Sequence, residues 1–227
     1  MKQNQALVSE LTNYVNIERL TFLVDGVFAI TITLLVLELR LPEDGTASLK
    51  EGLLALLPRL YIYFIAFYSI ANHWVVHQRM FRHITSTDTT MMWLTILGLL
   101  FITLIPATTA IVGRYPNEKL AVASFSINSS LQALTTSIFW FYVVRKQKQF
   151  AVQSDPHLLM ITAQIWLVIS VGWFVSILIG YINVYLAYTS WVILPNLVAV
   201  WGGRRRRNLQ TVFMSEGSQH EKKKTRK

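Results

Sequence analysis

"RLTFLVDGVFAITITLLVLEL", Arg19 to Leu39, decides the fold. Apart from Arg19 and Glu38 near its ends, Asp25 is the only charge in a run about the ~20 residues long that a bilayer-crossing helix needs. The whole chain agrees with that reading. Its 227 residues are 53% hydrophobic and 15% charged, with a mean hydropathy of +0.41, more apolar than a soluble core requires.

Similar stretches run over residues 20–39, 53–76, 92–112, 120–144, 158–180 and 184–201. They predict an all-α membrane protein with six transmembrane helices, residues 1–201 forming the membrane domain and residues 202–227 a basic, disordered cytoplasmic tail. The fourth stretch is polar, carrying Asn128, Ser129, Ser130, Gln132, Thr135, Thr136 and Ser137. Such side chains hydrogen-bond between packed helices, so this span is expected to be buried against its neighbours. With both termini inside, 16 of the 21 Lys and Arg fall on the cytoplasmic side and Arg40, Lys50, Arg114 and Lys119 on the other. The positive-inside rule therefore predicts a multi-pass protein of the cell membrane with cytoplasmic N- and C-termini.

That asymmetry accounts for most of the formal charge of +9, and nucleic acid is not expected as a partner. "RRRR" at Arg204–Arg207 and "KKKTRK" at Lys222–Lys227 read as an anchor to anionic lipid. The first twenty residues lack the pattern of a cleavable signal, so the first helix is expected to direct insertion. With no cysteine there is no disulfide, thiolate site or Cys nucleophile. No phosphate loop or catalytic signature is present, so an enzyme is not expected and no cofactor is implied.

In the first helix Leu23, Gly26, Ile30, Thr33 and Leu37 recur every three or four residues and share one stripe. Periodicity alone reads such a stripe as a helix-packing seam or as a pore lining. Arg19 and Asp25 are six residues apart and on different faces, so each needs its own partner. A carboxylate in hydrocarbon costs several kcal/mol unless paired, which makes Asp25 a candidate functional residue. Candidate partners lie in "NHWVVHQRMFRH", residues 72–83, where Trp74 offers an indole donor and His73 and His77 are i,i+4 neighbours. No Asp, Glu or Cys stands near them to complete a metal site, and the histidines read as hydrogen-bonding or protonatable groups.

Arg19, Leu23, Val24 and Asp25, followed by "GVFAI" at residues 26–30, resemble the first helix of the lysosomal and endosomal potassium-channel family, transmembrane protein 175. That family's pattern is Arg, three residues, then Phe-Ser-Asp. Arg and Asp keep their places here, while Leu23 and Val24 replace Phe and Ser. "WVVHQRMF", Trp74 to Phe81, resembles the family's segment at the end of the second helix, and "TSTDTTMMWLTILGLLFITLIPATTA", residues 85–110, extends the similarity to the third.

The resemblance implies a six-helix subunit of a homotetramer, with one repeat per chain as in bacterial members and the first helix lining a central pore. It implies a potassium-permeable channel with Ile30 at a hydrophobic constriction, Thr33 at a threonine layer and Leu37 at a further apolar layer, Leu34 joining this pore set. Arg19, Asp25, Trp74 and His77 would form the network that seats the pore helix. Permeant K+, other monovalent cations or H+, and membrane lipid are the expected partners. A threonine hydroxyl in a membrane helix also bonds back along its own helix, in this case to Ala29. A proton or cation transporter using Asp25 and His77, and a scaffold without transport, remain as alternatives.

Overall fold

The computed structural model describes residues 17–40, 48–81, 84, 87–146 and 156–224. Lys2, Glu43, Asp44, Arg82, Lys148, Arg226 and Lys227 lie outside the described residues, as do the side chains of Arg79 and of residues 206–224. Among the described residues the regular structure is helical. It comprises α1 (Ile17–Leu34), α2 (Leu49–Phe81), α3 (Thr89–Thr103), α4 (Ile105–Arg114), α5 (Lys119–Arg145), α6 (Pro156–Ile182) and α7 (Val184–Lys224), with a 3-10 turn, Leu35–Glu38, continuing α1.

Local chemistry sets most helix starts. Ahead of α2, Ser48 and Glu51 form a capping box, the Ser48 N–H donating to Glu51 Oε2 at 2.8 Å and the Glu51 N–H to Ser48 Oγ at 3.4 Å. Asp88 caps α3 by accepting from the Met91 N–H at 2.8 Å. Asn183 opens α7, its side-chain oxygen accepting from the N–H groups of Tyr185 and Leu186. Between α3 and α4 the helix breaks at Leu104, because Pro106 has no N–H to donate one turn back.

Among the described residues five segments are long and apolar enough to cross a membrane: Ile17–Glu38, Leu49–Gln78, Thr89–Arg114, Pro156–Ile182 and Val184–Arg205. The expected fourth span forms as α5, whose 27 residues reach about 40 Å, but it carries too many polar side chains to count with them. Its position explains that composition. α5 packs on α3, α4, α6 and α7, with its most extensive contact along α6. Asn128, Ser129, Ser130, Gln132, Thr135 and Ser137 are buried there.

Asn128, Ser130 and Ser137 find partners on neighbouring helices, while Thr135 and the Gln132 amide bond within α5. Ser130 and Ser170 exchange hydroxyl-to-carbonyl bonds in both directions at 2.9 Å. Ser137 donates to the Ala163 carbonyl at 2.9 Å, and the Asn128 amide to the Phe101 carbonyl at 3.0 Å. Ser176 donates to Ser126 Oγ at 2.8 Å, which also receives the Trp191 indole N–H at 3.1 Å, joining α5, α6 and α7. Close backbone approach completes the contact, since a Cβ at Gly180 would fall 2.9 Å from Val122 Cγ1.

α1 packs against α2, α3 and α4, and α2 also packs against α4. The tail expected as disordered from Gly202 instead continues α7 as far as Lys224. Between Gly203 and Lys224 there is no proline and a single glycine, Gly217, and the many Arg, Lys, Glu, Gln and Met favour the helix.

Asp88 also joins the start of α3 to the end of α5, accepting from the Tyr142 hydroxyl and, at 3.1 Å, from Lys146 Nζ. Burial pushes its carboxyl up, but the donors from Tyr142, the Met91 N–H and Lys146 outweigh it and hold the carboxyl below the usual carboxylate range. A group depressed in this way contributes stability above its unfolded pKa of about 3.9 and loses it as pH falls through the folded value. Thermal unfolding in detergent from pH 7 down to pH 3 is therefore expected to show a steeper loss for the wild type than for Asp88→Asn. Asp88→Ala is expected to cost about 1 kcal/mol near neutrality through the lost cap. Equal acid sensitivity of Asp88→Asn and wild type would count against this role.

Candidate functional site

α1 has two faces. Leu20, Val24, Phe28, Thr31 and Leu35 are buried against the rest of the bundle. At 100° per residue, Ala29, Phe22, Thr33, Gly26, Ile30, Leu23 and Leu34 cover an exposed arc of roughly 140°, with Gly26 near its middle. A Cβ added at Gly26 would meet nothing within 4 Å. Ile30 is 61% exposed and Leu37 is 54% exposed. The stripe read from the sequence is therefore the face this chain leaves uncovered. At its C-terminal end Leu37 sits in the 3-10 turn, and its carbonyl accepts from Arg40 Nε at 3.1 Å.

Thr33 donates its hydroxyl back along its own helix, as in the competing reading, with the Ile30 carbonyl at 2.8 Å as acceptor in place of Ala29. With the hydrogen engaged along the helix, the hydroxyl oxygen keeps its lone pairs for an outside donor or cation.

Asp25 lies at the edge of the exposed arc and is half-buried. Its Oδ1 accepts from the Trp74 indole N–H at 2.9 Å and from Gln78 Nε2 at 2.5 Å. The two donors are four residues apart on α2 and so share one face. Trp74 matches the sequence expectation. Gln78 was missed, although its i+4 spacing from Trp74 was the available signal.

His77 is not among Asp25's hydrogen-bond partners. One residue from Gln78 on a helix is a 100° turn, which places His77 with His73 and Phe81 on a neighbouring face. Its ring stacks on Phe81 at 4.1 Å between centroids and lies 6.2 Å from Phe28. His73 donates from Nδ1 to the Ser69 carbonyl at 3.0 Å and packs against Trp166. Both histidines line a cavity of about 50 Å³ together with Gln132, Thr135 and Trp166. Arg19 is exposed in the first turn of α1. Sequence reasoning also passed over Arg59 of α2, which donates to the Arg40 carbonyl at 2.7 Å and ties down the chain leaving α1.

Residues 19–106, from α1 to the start of α4, match the family described as endosomal/lysosomal potassium channel TMEM175. A potassium channel of Chamaesiphon minutus is 32% identical over 139 residues, covering 59% of this chain and 68% of that protein. The chain belongs to the TMEM175 family. A potassium channel of Streptomyces collinus is 32% identical over 136 residues, or 58% of this chain, and the chain spans 66% of that relative's length. The fold agrees: the crystal structure of a lysosomal potassium-selective channel TMEM175 homolog from Chamaesiphon minutus superposes with a TM-score of 0.71 at 25% identity, over 82% of this chain and 97% of that one. The family match contains both sides of the Asp25 clamp, Trp74 and Gln78 included.

Hydrogen bonds to a charged acceptor contribute about 1.5–3 kcal/mol each, and a partly buried carboxylate left short of donors costs more than the bond itself. Trp74→Phe, which keeps the ring and loses the N–H, is expected to lower stability in detergent by about 2 kcal/mol. In an Asp25→Asn background the same change should cost about half as much or less. Equal effects in both backgrounds would mean that the indole and the carboxylate are not energetically coupled.

Proposed function

We propose that this chain is one subunit of a potassium-permeable cation channel in which the exposed arc of α1 from four copies surrounds the conduction path. The observation that carries the reading is the division of α1. One face is locked to α2, α3 and α4, while an apolar arc centred on Gly26 is left open to neighbours in a chain whose relatives are named potassium channels. In this reading all six long segments cross the cell membrane, α5 included, because its polar side chains are buried inside the bundle, Asn128, Ser130 and Ser137 bonding to neighbouring helices. The termini are cytoplasmic and no resident cofactor is needed.

Four copies of Ile30 would form an apolar ring that holds the pore closed by dewetting. Thr33, about one turn outward, would supply four hydroxyl oxygens whose hydrogens are already used on the Ile30 carbonyls, and so act as acceptors toward a partly dehydrated cation. Leu34 and Leu37 would narrow the path further toward the outer end. Asp25 would serve as a positioning residue. Held by Trp74 and Gln78, it fixes the rotation of α1 on α2 and hence which residues face the axis. Arg19 and His77 would support the same seat, His77 through its ring contacts with Phe28 and Phe81. A proton relay from Asp25 to His77 is less favoured, since Asp25 is bonded to an indole and an amide, neither of which readily passes a proton onward.

Potassium efflux from proteoliposomes tests the reading directly. Ile30→Asn is expected to raise the flux severalfold by wetting the constriction. Thr33→Ala is expected to change the ratio of potassium to sodium flux while leaving the protein folded. An absence of flux from every well-folded variant would favour a scaffold. Flux with unchanged selectivity in Thr33→Ala would move the selectivity element elsewhere.

A further inference from the structure

The chain leaving α1 lacks the glycine or asparagine that commonly closes a helix, since "LVLELR", residues 35–40, contains neither. The last carbonyls of such a helix carry the negative end of its dipole and need donors from elsewhere. Two arginines supply them. Arg40 Nε donates to the Leu37 carbonyl at 3.1 Å, and Arg59 Nη1 of α2 donates to the Arg40 carbonyl at 2.7 Å. The aliphatic stem of Arg59 lies over α4, where a Cβ added at Gly113 would stand 3.8 Å from Arg59 Cγ. Leu35 is fully buried, but beyond it the Arg59 bond is, among the described residues, the one hydrogen bond that ties residues 36–40 to another helix.

Arg59 stands on the same helix as the donors to Asp25, and the spacings match. Asp25 and Arg40 are fifteen residues apart, and so are Arg59 and Trp74, about 22 Å along α2. The chain from α1 is thus pinned to α2 at two points in one antiparallel register, with Ile30, Thr33, Leu34 and Leu37 between them. The two attachments are unequal. Both use an ionised partner, which strengthens a hydrogen bond. Asp25, however, is half-buried and holds two donors, while Arg40 is exposed and its carbonyl holds one.

We propose that Arg59 is a positioning residue for the C-terminal end of the conduction path: its bond to Arg40 latches residues 36–40, and when the latch is released Leu37 moves while the Asp25 clamp keeps the rest of α1 in place. The part of this that concerns the path rests on the channel reading above. Arg59 acts on Leu37 through the Arg40 backbone and not by contact with an ion. Because its guanidinium stays charged at every physiological pH, the latch is set by packing and solvation and not by protonation.

Spin labelling tests the latch without reference to transport. Because the chain has no cysteine, Val36→Cys and Leu23→Cys each give a single labelling site, both at exposed positions, the first in the 3-10 turn and the second beside the Asp25 clamp. Arg59→Met keeps a stem over Gly113 and removes the donors. It should sharpen the spectrum of a nitroxide at Val36, diluted with its diamagnetic analogue, and leave the spectrum at Leu23 unchanged. Arg59→Lys, which restores a charged donor, should bring the Val36 spectrum part of the way back to that of wild-type Arg59. In proteoliposomes Arg59→Met added to Ile30→Asn should raise potassium efflux severalfold over Ile30→Asn alone, where the Ile30 ring no longer limits. An unchanged Val36 spectrum would overturn the latch whatever the flux, and so would equal gains in mobility at both labels, the mark of general destabilisation. A freed Val36 with efflux no faster than in Ile30→Asn alone would overturn the role in the path. If Ile30→Asn itself passes no potassium, the channel reading fails, and the Val36 spectrum still decides whether the latch exists.

Discussion

In hydrocarbon an apolar side chain gains little by leaving lipid for protein, so membrane helices are held by close backbone approach and by hydrogen bonds that meet no competing water. α5 is organised around that constraint. Its Ser126, Asn128, Ser130 and Ser137 reach α3, α6 and α7, and Gly180 lets α6 come close to Val122. A helix of this composition facing lipid would leave those groups without partners. Inside the bundle they become its main polar contacts, and the remaining helices take their places around it.

The same rule governs α1. Asp25 is tolerable in the membrane because Trp74 and Gln78 supply donors from one face of α2. In the proposed reading, meeting that requirement also sets the rotation of α1. Leu20, Val24, Phe28, Thr31 and Leu35 turn inward, and the arc centred on Gly26 turns out. The carboxylate would thus orient its helix, and the exposed face is the one on which the proposed conduction path is built. Hydroxyls along α1 are handled locally: Thr21, Thr31 and Thr33 each bond to a carbonyl of their own helix.

Much of this was legible in the chain. Segment length and hydropathy located the helices to within a few residues at most ends, because a bilayer fixes how many apolar residues a crossing needs. Polar residues in α5 pointed to burial among helices, and the spacing from Leu23 to Leu37 marked one face of α1. The misreadings have physical causes. Trp74 was recognised as a donor to Asp25, but Gln78 and His77 stand one residue apart on faces separated by 100°, and the packing angle between two helices decided which of them meets the carboxylate. The 3-10 turn at Leu35–Glu38 and the continuation of α7 beyond Gly202 were equally open at the level of pattern.

The sequence by itself determined an all-helical membrane chain, the stripe on its first helix, and the need for Asp25 to find partners, since each of these follows from residue type and helical periodicity. Only the tertiary structure decided that the stripe is the uncovered face and that Gln78 completes the clamp. Those outcomes depend on how helices distant in sequence are rotated and set against one another, and no local pattern encodes that.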